Sequence, residues 1–323
     1  MCILGIDQIT YGTSTLEKSR RFFLDWGLKL VNETEDQLTF ESLNGCRIRV
    51  ADPERVDLPV AIEEGPTVRE VMWGVQSEAD LNHYVQELKD APGFADTTVN
   101  GIRRVRAVDP NGLAICLQVT QKKDVYIECA ASNTWAEHNR INKPSPIYER
   151  AEPIEVGHVV FFVEDLKAVE SFYIEKLGFV ASDRYPNRGS FLRCTANGGH
   201  HDLFLLQTPQ GKKGINHVAF TVRDIHEVFG GGLHFSRCGW DTQLGPGRHP
   251  VSSAYFWYFN NPAGGLVEYY ADEDQLTAEW ESREFEPGPT VFAEWAIEGG
   301  IDGDTRRQKS AKVPEGKFLT DRK

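Results

Sequence analysis

Three polar side chains, His158, His217 and Glu268, each open or interrupt a mostly apolar, strand-like run in the second half of the chain. A carboxylate buried in such a strand without a partner is costly, or it must take up a proton. Two imidazoles and one carboxylate on neighbouring strands of one barrel remove that cost if they hold a divalent metal ion. This ligand set leaves coordination positions open for substrate and O2, as on a non-haem iron.

Taken one at a time, these residues have plainer interpretations. A histidine at the start of a strand is usually a hydrogen-bonded core residue, and a glutamate in an apolar strand usually lies at an edge or an interface. The metal interpretation draws its support from the combination, because the three residues lie at corresponding places of repeated segments.

The elements that must position these residues form an internal repeat. Four segments of about 50–60 residues each read as a strand, a helix and then several strands. A single segment has one apolar sheet face that it cannot bury alone, so the segments should pair. The sequence therefore predicts an α+β protein of four βαβββ modules in two domains. The predicted helices are 14–26, 79–88, 165–177 and a short one near 224–229.

The domain boundaries follow from changes in this pattern. We predict a first barrel domain over residues 1–120 and a second over 154–272, joined by a linker over 121–153 that has little periodicity. A C-terminal extension with a mobile tail should follow over 273–323, its aromatic part packing across the domains.

The first domain serves as an internal control for the metal prediction. When the repeats are aligned, Gln8 stands opposite His158, Glu70 opposite His217, and Cys116 opposite Glu268. No matching set of ligands exists there, so the first domain is expected to be a duplicate without a metal, and the active centre is expected to be single.

Composition limits the classes of partner. Lys and Arg number 35 against 48 Asp and Glu, a net charge of −13, which disfavours nucleic acid and anionic membranes. No secretory signal or membrane-spanning run is present, so a cytoplasmic location is expected. The cysteines lack close pairs and are expected to be free thiols; they are Cys2, Cys46, Cys116, Cys129, Cys194 and Cys238.

With these residues in view, the sequence resembles the two-domain type I extradiol ring-cleavage dioxygenases of the vicinal-oxygen-chelate superfamily, related to catechol and dihydroxybiphenyl dioxygenases. The resemblance covers residues 1–272. It is specific in the second half, whereas only the module shape matches in the first. The motifs that carry it are Gly157–Val160, His200–Leu205, Ile215–Phe220, Gly247–Pro250, Tyr255–Tyr258 and Asn261–Tyr270.

The resemblance implies a fold, a cofactor and a reaction. Each domain should be a half-open mixed β-barrel of the glyoxalase-like type. His158, His217 and Glu268 should bind Fe(II), or in some members Mn(II). A catecholic substrate and O2 should react there to give a ring-opened semialdehyde or keto acid, and the protein is expected to be a homo-oligomer.

The resemblance also assigns three further site residues. His201 matches the acid–base histidine, His249 a histidine behind the metal site, and Tyr258 the tyrosine that hydrogen-bonds the substrate oxygen. His200 is the less promising member of its pair. The segment 241–244 lacks the cation that some members place there for carboxylated catechols.

An apolar ring is therefore the expected substrate. The aromatic side chains that would suit such a ring are Phe191, Phe204, Tyr255 and Trp257, and the sequence leaves open which of them face the pocket.

Three rival functions share these modules. A glyoxalase-type isomerase also uses a metal, but its ligands usually come from both halves of a site and include a second carboxylate or a glutamine. A hydroxyphenylpyruvate-type dioxygenase has the same triad but lacks a histidine in the role of His201. A metal-free small-molecule-binding member has no need of the triad.

Overall fold

The first half of the chain forms one large mixed sheet with two helices. These elements are described in a computed structural model that covers residues 3–129 and 131–299. Their bounds are β1 (Ile3–Gly12), α1 (Leu16–Asp25), β2 (Lys29–Thr34), β3 (Gln37–Glu41), β4 (Arg47–Ala51), β5 (Thr67–Val75), α2 (Glu78–Leu88), β6 (Ala95–Val99), β7 (Ile102–Val108) and β8 (Ala114–Val119).

The second half repeats this order and adds short elements at its end. Their bounds are β9 (Glu155–Val163), α3 (Leu166–Leu177), β10 (Val180–Tyr185), β11 (Gly189–Arg193), β12 (Gly198–Gly199), β13 (Leu203–Gln207), β14 (Gly214–Thr221), α4 (Ile225–Arg237), β15 (Thr242–Arg248), β16 (Tyr255–Asn260), β17 (Leu266–Ala271), β18 (Gln275–Leu276), β19 (Arg283–Glu284), α5 (Pro289–Phe292) and β20 (Trp295–Glu298).

Both sheets follow one plan. The first has the strand order β2-β3-β4-β1-β5-β8-β7-β6, and the second has β19-β10-β11-β13-β9-β14-β17-β16-β15-β20. In each, the first strands of two modules pair antiparallel at the centre, β1 with β5 and β9 with β14. The end strands of each order do not pair with each other, so each sheet is a half-open barrel. The predicted fold class is confirmed.

The helices begin where the sequence predicts, but α4 ends later. Asp165 caps α3 by accepting from the main-chain N–H of Ala168, and Asp224 caps α4 in the same way. The predicted end of α4 near Phe229 is wrong, because the helix runs on to Arg237 through a run of glycines. A Cβ on Gly232 would lie 2.1 Å from the Trp257 ring, so these glycines permit close packing against the sheet.

The two barrels share one hydrophobic core. The Trp26 ring stacks on Tyr269 of the other barrel with ring centroids 3.5 Å apart, and the Tyr269 hydroxyl donates to the Trp26 carbonyl over 2.7 Å. The Tyr84 hydroxyl on α2 donates to the carbonyl of Leu177 on α3. Modules one and four, and two and three, therefore meet across the barrels.

The C-terminal extension adds a strand to each edge of the second sheet. β19 runs parallel to β10, and β20 pairs antiparallel with β15. The extension is thus held against the second barrel, where it covers both exposed strand edges. The predicted mobile tail lies outside the described residues beyond position 299, as does Cys2.

Two smaller expectations concern the whole described chain. Over residues 3–129 and 131–299, no helix is long and apolar enough to cross a membrane. The cysteines of these ranges are free thiols: Cys46, Cys116, Cys129, Cys194 and Cys238.

Candidate metal centre

The centre of the second sheet brings His158, His217 and Glu268 together. They lie on β9, β14 and β17, which are neighbours, and both His158 and Glu268 face Ala219 in the strand register. The Nε2 atoms of the two histidines lie 3.2 and 3.3 Å from Oε2 of Glu268, and 3.3 Å from each other. The sequence prediction that these three residues converge agrees with this geometry.

The charge and burial of Glu268 indicate that a cation fits in this cluster. Glu268 is buried, and within the described part of the chain no N–H is directed at either carboxylate oxygen. Burial alone raises a carboxyl pKa, but the imidazoles of His158, His217 and His249 hold the pKa of Glu268 well below its usual range. Burial, together with nearby His201, lowers the pKa of His158 to about 3.

Burial also lowers the pKa of His217, so the lone pairs of these two neutral imidazoles face the ionised carboxylate of Glu268. Ligands bound at right angles to one first-row metal ion lie about 3 Å apart, because each bond is about 2.1 Å long. The observed separations match that value. The residues present thus fit a divalent metal ion, with one carboxylate and two imidazoles as its protein ligands.

A second group of potential ligands overlaps the first. His158, His201 and Glu273 also bring one ligand atom each within 4.8 Å of one another. The Nδ1 atom of His201 lies 3.3 Å from Oε1 of Glu273, and its ring lies 4.1 Å from that of His158 between centroids. Glu273 follows the end of β17, where no apolar run makes a carboxylate unusual, and sequence reasoning missed it.

His249 and Tyr258 form a hydrogen-bonded pair beside the metal cluster. Nδ1 of His249 donates to the main-chain carbonyl of Phe292 over 2.6 Å, so its Nε2 accepts from the Tyr258 hydroxyl over 3.0 Å. Burial and the nearby Glu268 carboxylate raise the pKa of Tyr258 well above its usual range. The tyrosine therefore stays protonated and holds a defined donor direction.

All six predicted site residues line one cavity, and most of its remaining wall is apolar. Phe191 and Phe204 stack on each other with ring centroids 3.9 Å apart, and Phe292 closes another side. Phe191 and Phe204 are thus the members of the aromatic set singled out from the sequence that line the cavity. Of the other two aromatic residues of that set, Trp257 turns toward α4 and Tyr255 toward Trp295, so neither lines the cavity.

No lysine or arginine is among the described residues that line this cavity. The observation agrees with the missing cation in segment 241–244. A negatively charged group in the cavity would therefore find no counter-charge among these residues.

One family model and one curated relative match the part of the chain that holds this site. Residues 155–269 match the family model described as the Glyoxalase/Bleomycin resistance protein/Dioxygenase superfamily. The chain is 30% identical to metapyrocatechase 2 of Cupriavidus necator over 146 residues, which are 45% of each protein. The matched part thus spans about half the length of that relative.

Two solved structures resemble nearly the whole chain. One is the Mn(II)-bound glyoxalase from Novosphingobium aromaticivorans, with a TM-score of 0.76 and 20% identity over 97% of this chain and 95% of that one. The other is BphC, a halotolerant catechol dioxygenase, with a TM-score of 0.72 and 20% identity over 94% and 96%. At such identity these likenesses establish the fold.

Proposed function

We propose that this protein, whose residues 155–269 match the model of the Glyoxalase/Bleomycin resistance protein/Dioxygenase superfamily, is an extradiol dioxygenase that opens a catecholic ring with O2. One observation carries the proposal. The buried cluster of His158, His217 and Glu268 faces the same cavity as His201 and the hydrogen-bonded pair Tyr258 and His249.

In this proposal His158, His217 and Glu268 hold Fe(II), or alternatively Mn(II). When bound, the ion supplies Lewis acidity, which lowers a catechol hydroxyl pKa and brings the catechol and O2 together. The protein supplies the rest of the environment. The stacked rings of Phe191 and Phe204 exclude water from the ring face of a bound catechol.

Tyr258 orients one catechol oxygen in the proposed mechanism. Its hydroxyl keeps its proton, and the hydrogen bonds from Phe292 through His249 determine where that hydroxyl lies. The pair can therefore steer a proton at the substrate oxygen without leaving a charge in the cavity. His249 acts through Tyr258 and positions it.

His201 is the proposed acid–base residue. It lines the same cavity as Tyr258 and is the imidazole of the described cavity wall that belongs neither to the triad nor to the tyrosine pair. A positioned imidazole accepts a proton from the substrate hydroxyl and returns it to oxygen when the ring opens. Both oxygen atoms of O2 end in the semialdehyde or keto acid product.

The proposed substrate is an uncharged catechol with an apolar substituent. The wall of the cavity is apolar apart from the site residues, Asn216 and Ser252, and it holds no lysine or arginine among the described lining residues. A carboxylated catechol should therefore be a poor substrate.

The test is O2 uptake by protein purified without oxygen and reconstituted with Fe(II). The panel contains catechol, 2,3-dihydroxybiphenyl and a carboxylated catechol. We expect uptake with the uncharged members, together with the yellow absorbance of a ring-fission product. Absence of uptake by protein that carries one equivalent of iron would overturn the proposal.

A metal-dependent isomerase of the glyoxalase type is the second candidate. It is favoured by the second carboxylate near the cluster, Glu273, which completes a ligand group with His158 and His201. In that case Glu273→Gln should lower the metal content of the protein. Under the dioxygenase proposal the same change leaves metal content intact. A metal-free binding member of the superfamily would bind no metal in either form.

We also propose the division into a first barrel over residues 1–120, a linker over 121–153, a second barrel over 154–272 and an extension over 273–323. The first sheet ends at Val119 and the second begins at Glu155, in support of these limits.

The assembly and the cellular location are proposals too. We propose a cytoplasmic homo-oligomer. Trp135 and Tyr126 of the linker are 99% and 95% exposed, which supports self-association, and free thiols support a reducing compartment. Light scattering on the purified protein tests the oligomer, since a monomer at micromolar concentration would contradict it.

A further inference from the structure

A buried chain of hydrogen bonds leads from the C-terminal extension to His201. Arg283 lies on β19, Asp183 lies beside it on β10, and His200 connects Asp183 to His201. Both His200 and Asp183 are completely buried. None of these three residues belongs to the metal cluster, so metal binding does not explain why His200 and Asp183 are buried.

The direction of each hydrogen bond follows from the Arg283 end. Asp183 accepts from the main-chain N–H of Arg283 over 2.8 Å and from its guanidinium over 2.6 Å. Burial would raise the pKa of Asp183, but His200 and Arg283 hold it below its usual value. An ionised carboxylate only accepts, so Nε2 of His200 must donate to it across their 2.9 Å contact.

The tautomer of His200 then determines what it offers to His201. Burial lowers the pKa of His200 to about 4, so the ring is neutral and carries its single proton on Nε2. Its Nδ1 is an acceptor, and it lies 3.1 Å from Nδ1 of His201. Oε1 of Glu273, also an acceptor, lies 3.3 Å from the same atom. Nδ1 of His201 therefore faces acceptors and must carry a proton.

We propose that His200, held by Asp183 and Arg283, is a positioning residue that fixes His201 with its proton on Nδ1 and its Nε2 free for the cavity. Because the ring lines the cavity and Nδ1 is engaged away from it, Nε2 is the atom that exchanges a proton with substrate. The inference rests on the proposed function of His201 in turnover, whereas the tautomer itself does not depend on that function.

Two nearly isosteric substitutions of His200 test separately its hydrogen bond at Nδ1 and its hydrogen bond at Nε2. In His200→Asn the side-chain oxygen takes the place of Nδ1 and can still accept from His201. In His200→Gln the amide nitrogen takes the place of Nε2 and can still donate to Asp183, but no acceptor remains at the Nδ1 position. His200→Phe keeps the volume and removes both hydrogen bonds.

The primary measurement is two-bond ¹H–¹⁵N NMR of histidine-labelled protein loaded with Zn(II), with the His201 signals assigned from His201→Gln. We expect the Nδ1–H tautomer in the wild type and in His200→Asn, and its loss in His200→Gln and His200→Phe. His234→Gln is the matched control, since His234 lies on α4 beside Cys238, away from the cavity, and it should change nothing.

The second measurement is steady-state kinetics of the iron-loaded variants. His200→Gln and His200→Phe should lower kcat about 10–100-fold at unchanged KM and metal content, whereas His200→Asn should stay within about threefold of wild type. A purely structural role would instead lower the activity of Asn and Gln variants alike.

Retention of the wild-type tautomer in both His200→Gln and His200→Phe would overturn the proposal and assign the tautomer to Glu273. An Nε2–H tautomer in the wild type would overturn it as well. The NMR measurement needs no turnover, so it decides the matter even if the wild type cleaves no catechol, in which case only the proposed function fails.

Discussion

The two barrels of this protein have different residues at the equivalent central strand positions. In the second barrel, Ala219 lies between His158 and Glu268 on the two neighbouring strands. In the first barrel, Met72 lies in the same way between Gln8 and Cys116. The alignment made from sequence therefore agrees with the strand register. The positions of the proposed metal ligands His158 and Glu268 are occupied in the first barrel by an amide, Gln8, and a thiol, Cys116.

The next strand shows how the first barrel compensates. In the first barrel Arg106 is the cross-strand partner of Cys116, and in the second Tyr258 is the cross-strand partner of Glu268. An arginine therefore occupies the position that a tyrosine has in the second barrel. The Arg106 guanidinium pairs with the carboxylate of Glu70, which is buried at the position equivalent to a metal-binding histidine.

Both barrels thus bury a carboxylate near the centre of the sheet, and both need a positive charge beside it. The first barrel supplies its own cation as a side chain. Within the described residues, the second places no lysine or arginine beside Glu268, whose carboxylate faces the imidazoles of His158, His217 and His249 instead. The difference teaches that one barrel fold can accommodate a buried central carboxylate in two ways, with a side-chain cation or with a cluster that fits a metal ion.

The largest expected effect is on metal content. Glu268→Gln removes the single anionic ligand of the cluster, so the purified protein should fall from about one equivalent of metal to background, measured by inductively coupled plasma mass spectrometry. Glu273→Gln is the matched control and should keep its metal. The reverse pattern would assign the metal to the second ligand group.

The next effect in size is on turnover. His201→Ala should keep its metal but lower kcat about 10²–10⁴-fold, because a general acid–base residue contributes that much. Steady-state O2 uptake with 2,3-dihydroxybiphenyl measures this decrease in kcat. Full activity at normal metal content would remove His201 from the mechanism.

Acid should destabilise the metal-free second barrel. The pKa values of His158 and His200 are about 3 and 4 in the folded state, against about 6.5 in the unfolded chain. The unfolded chain therefore binds more protons below pH 6.5. Stability is full above that pH and declines as pH falls toward 4, by about 4 kcal/mol at pH 5 for these two groups together.

Urea unfolding of the metal-free protein at pH 7 and pH 5 measures this decline. His200→Asn should reduce the dependence on pH, because it removes one of the two groups. His83→Gln, on α2 of the first barrel, should leave the dependence unchanged. A stability that rises between pH 7 and pH 5 would contradict the assigned direction.

The smallest effect concerns the first barrel. Arg106→Met leaves the buried carboxylate of Glu70 without its cation, and should lower the free energy of unfolding by about 1–3 kcal/mol, since Arg106 is itself partly exposed. Arg104→Met is the control: its guanidinium bonds the Gln118 amide, and the loss should stay near 0.5 kcal/mol. Equal losses would refute the compensating role of Arg106.

Much of the fold could be predicted because its signals are local. Period-two apolar runs indicate strands, and Asp165 is a typical helix cap, so the module order and most helix starts follow from sequence. The end of α4 could not be predicted, because a run of glycines usually ends a helix. Here close packing of Gly232 on Trp257 outweighs that propensity.

By itself, the sequence determined which residues are out of place. His158, His217 and Glu268 stand out because burying a polar or charged side chain in a strand costs free energy. The sequence alone shows this cost, because the apolar residues on either side of each of them predict a buried strand. Tertiary structure alone decided which groups surround His201. Asp183 and Arg283 lie 100 residues apart, and each is unremarkable where it stands. The Phe292 carbonyl that orients His249 belongs to the backbone, which every residue shares. A hydrogen bond depends on distance and direction in space, so these partners become visible only when the chain is folded.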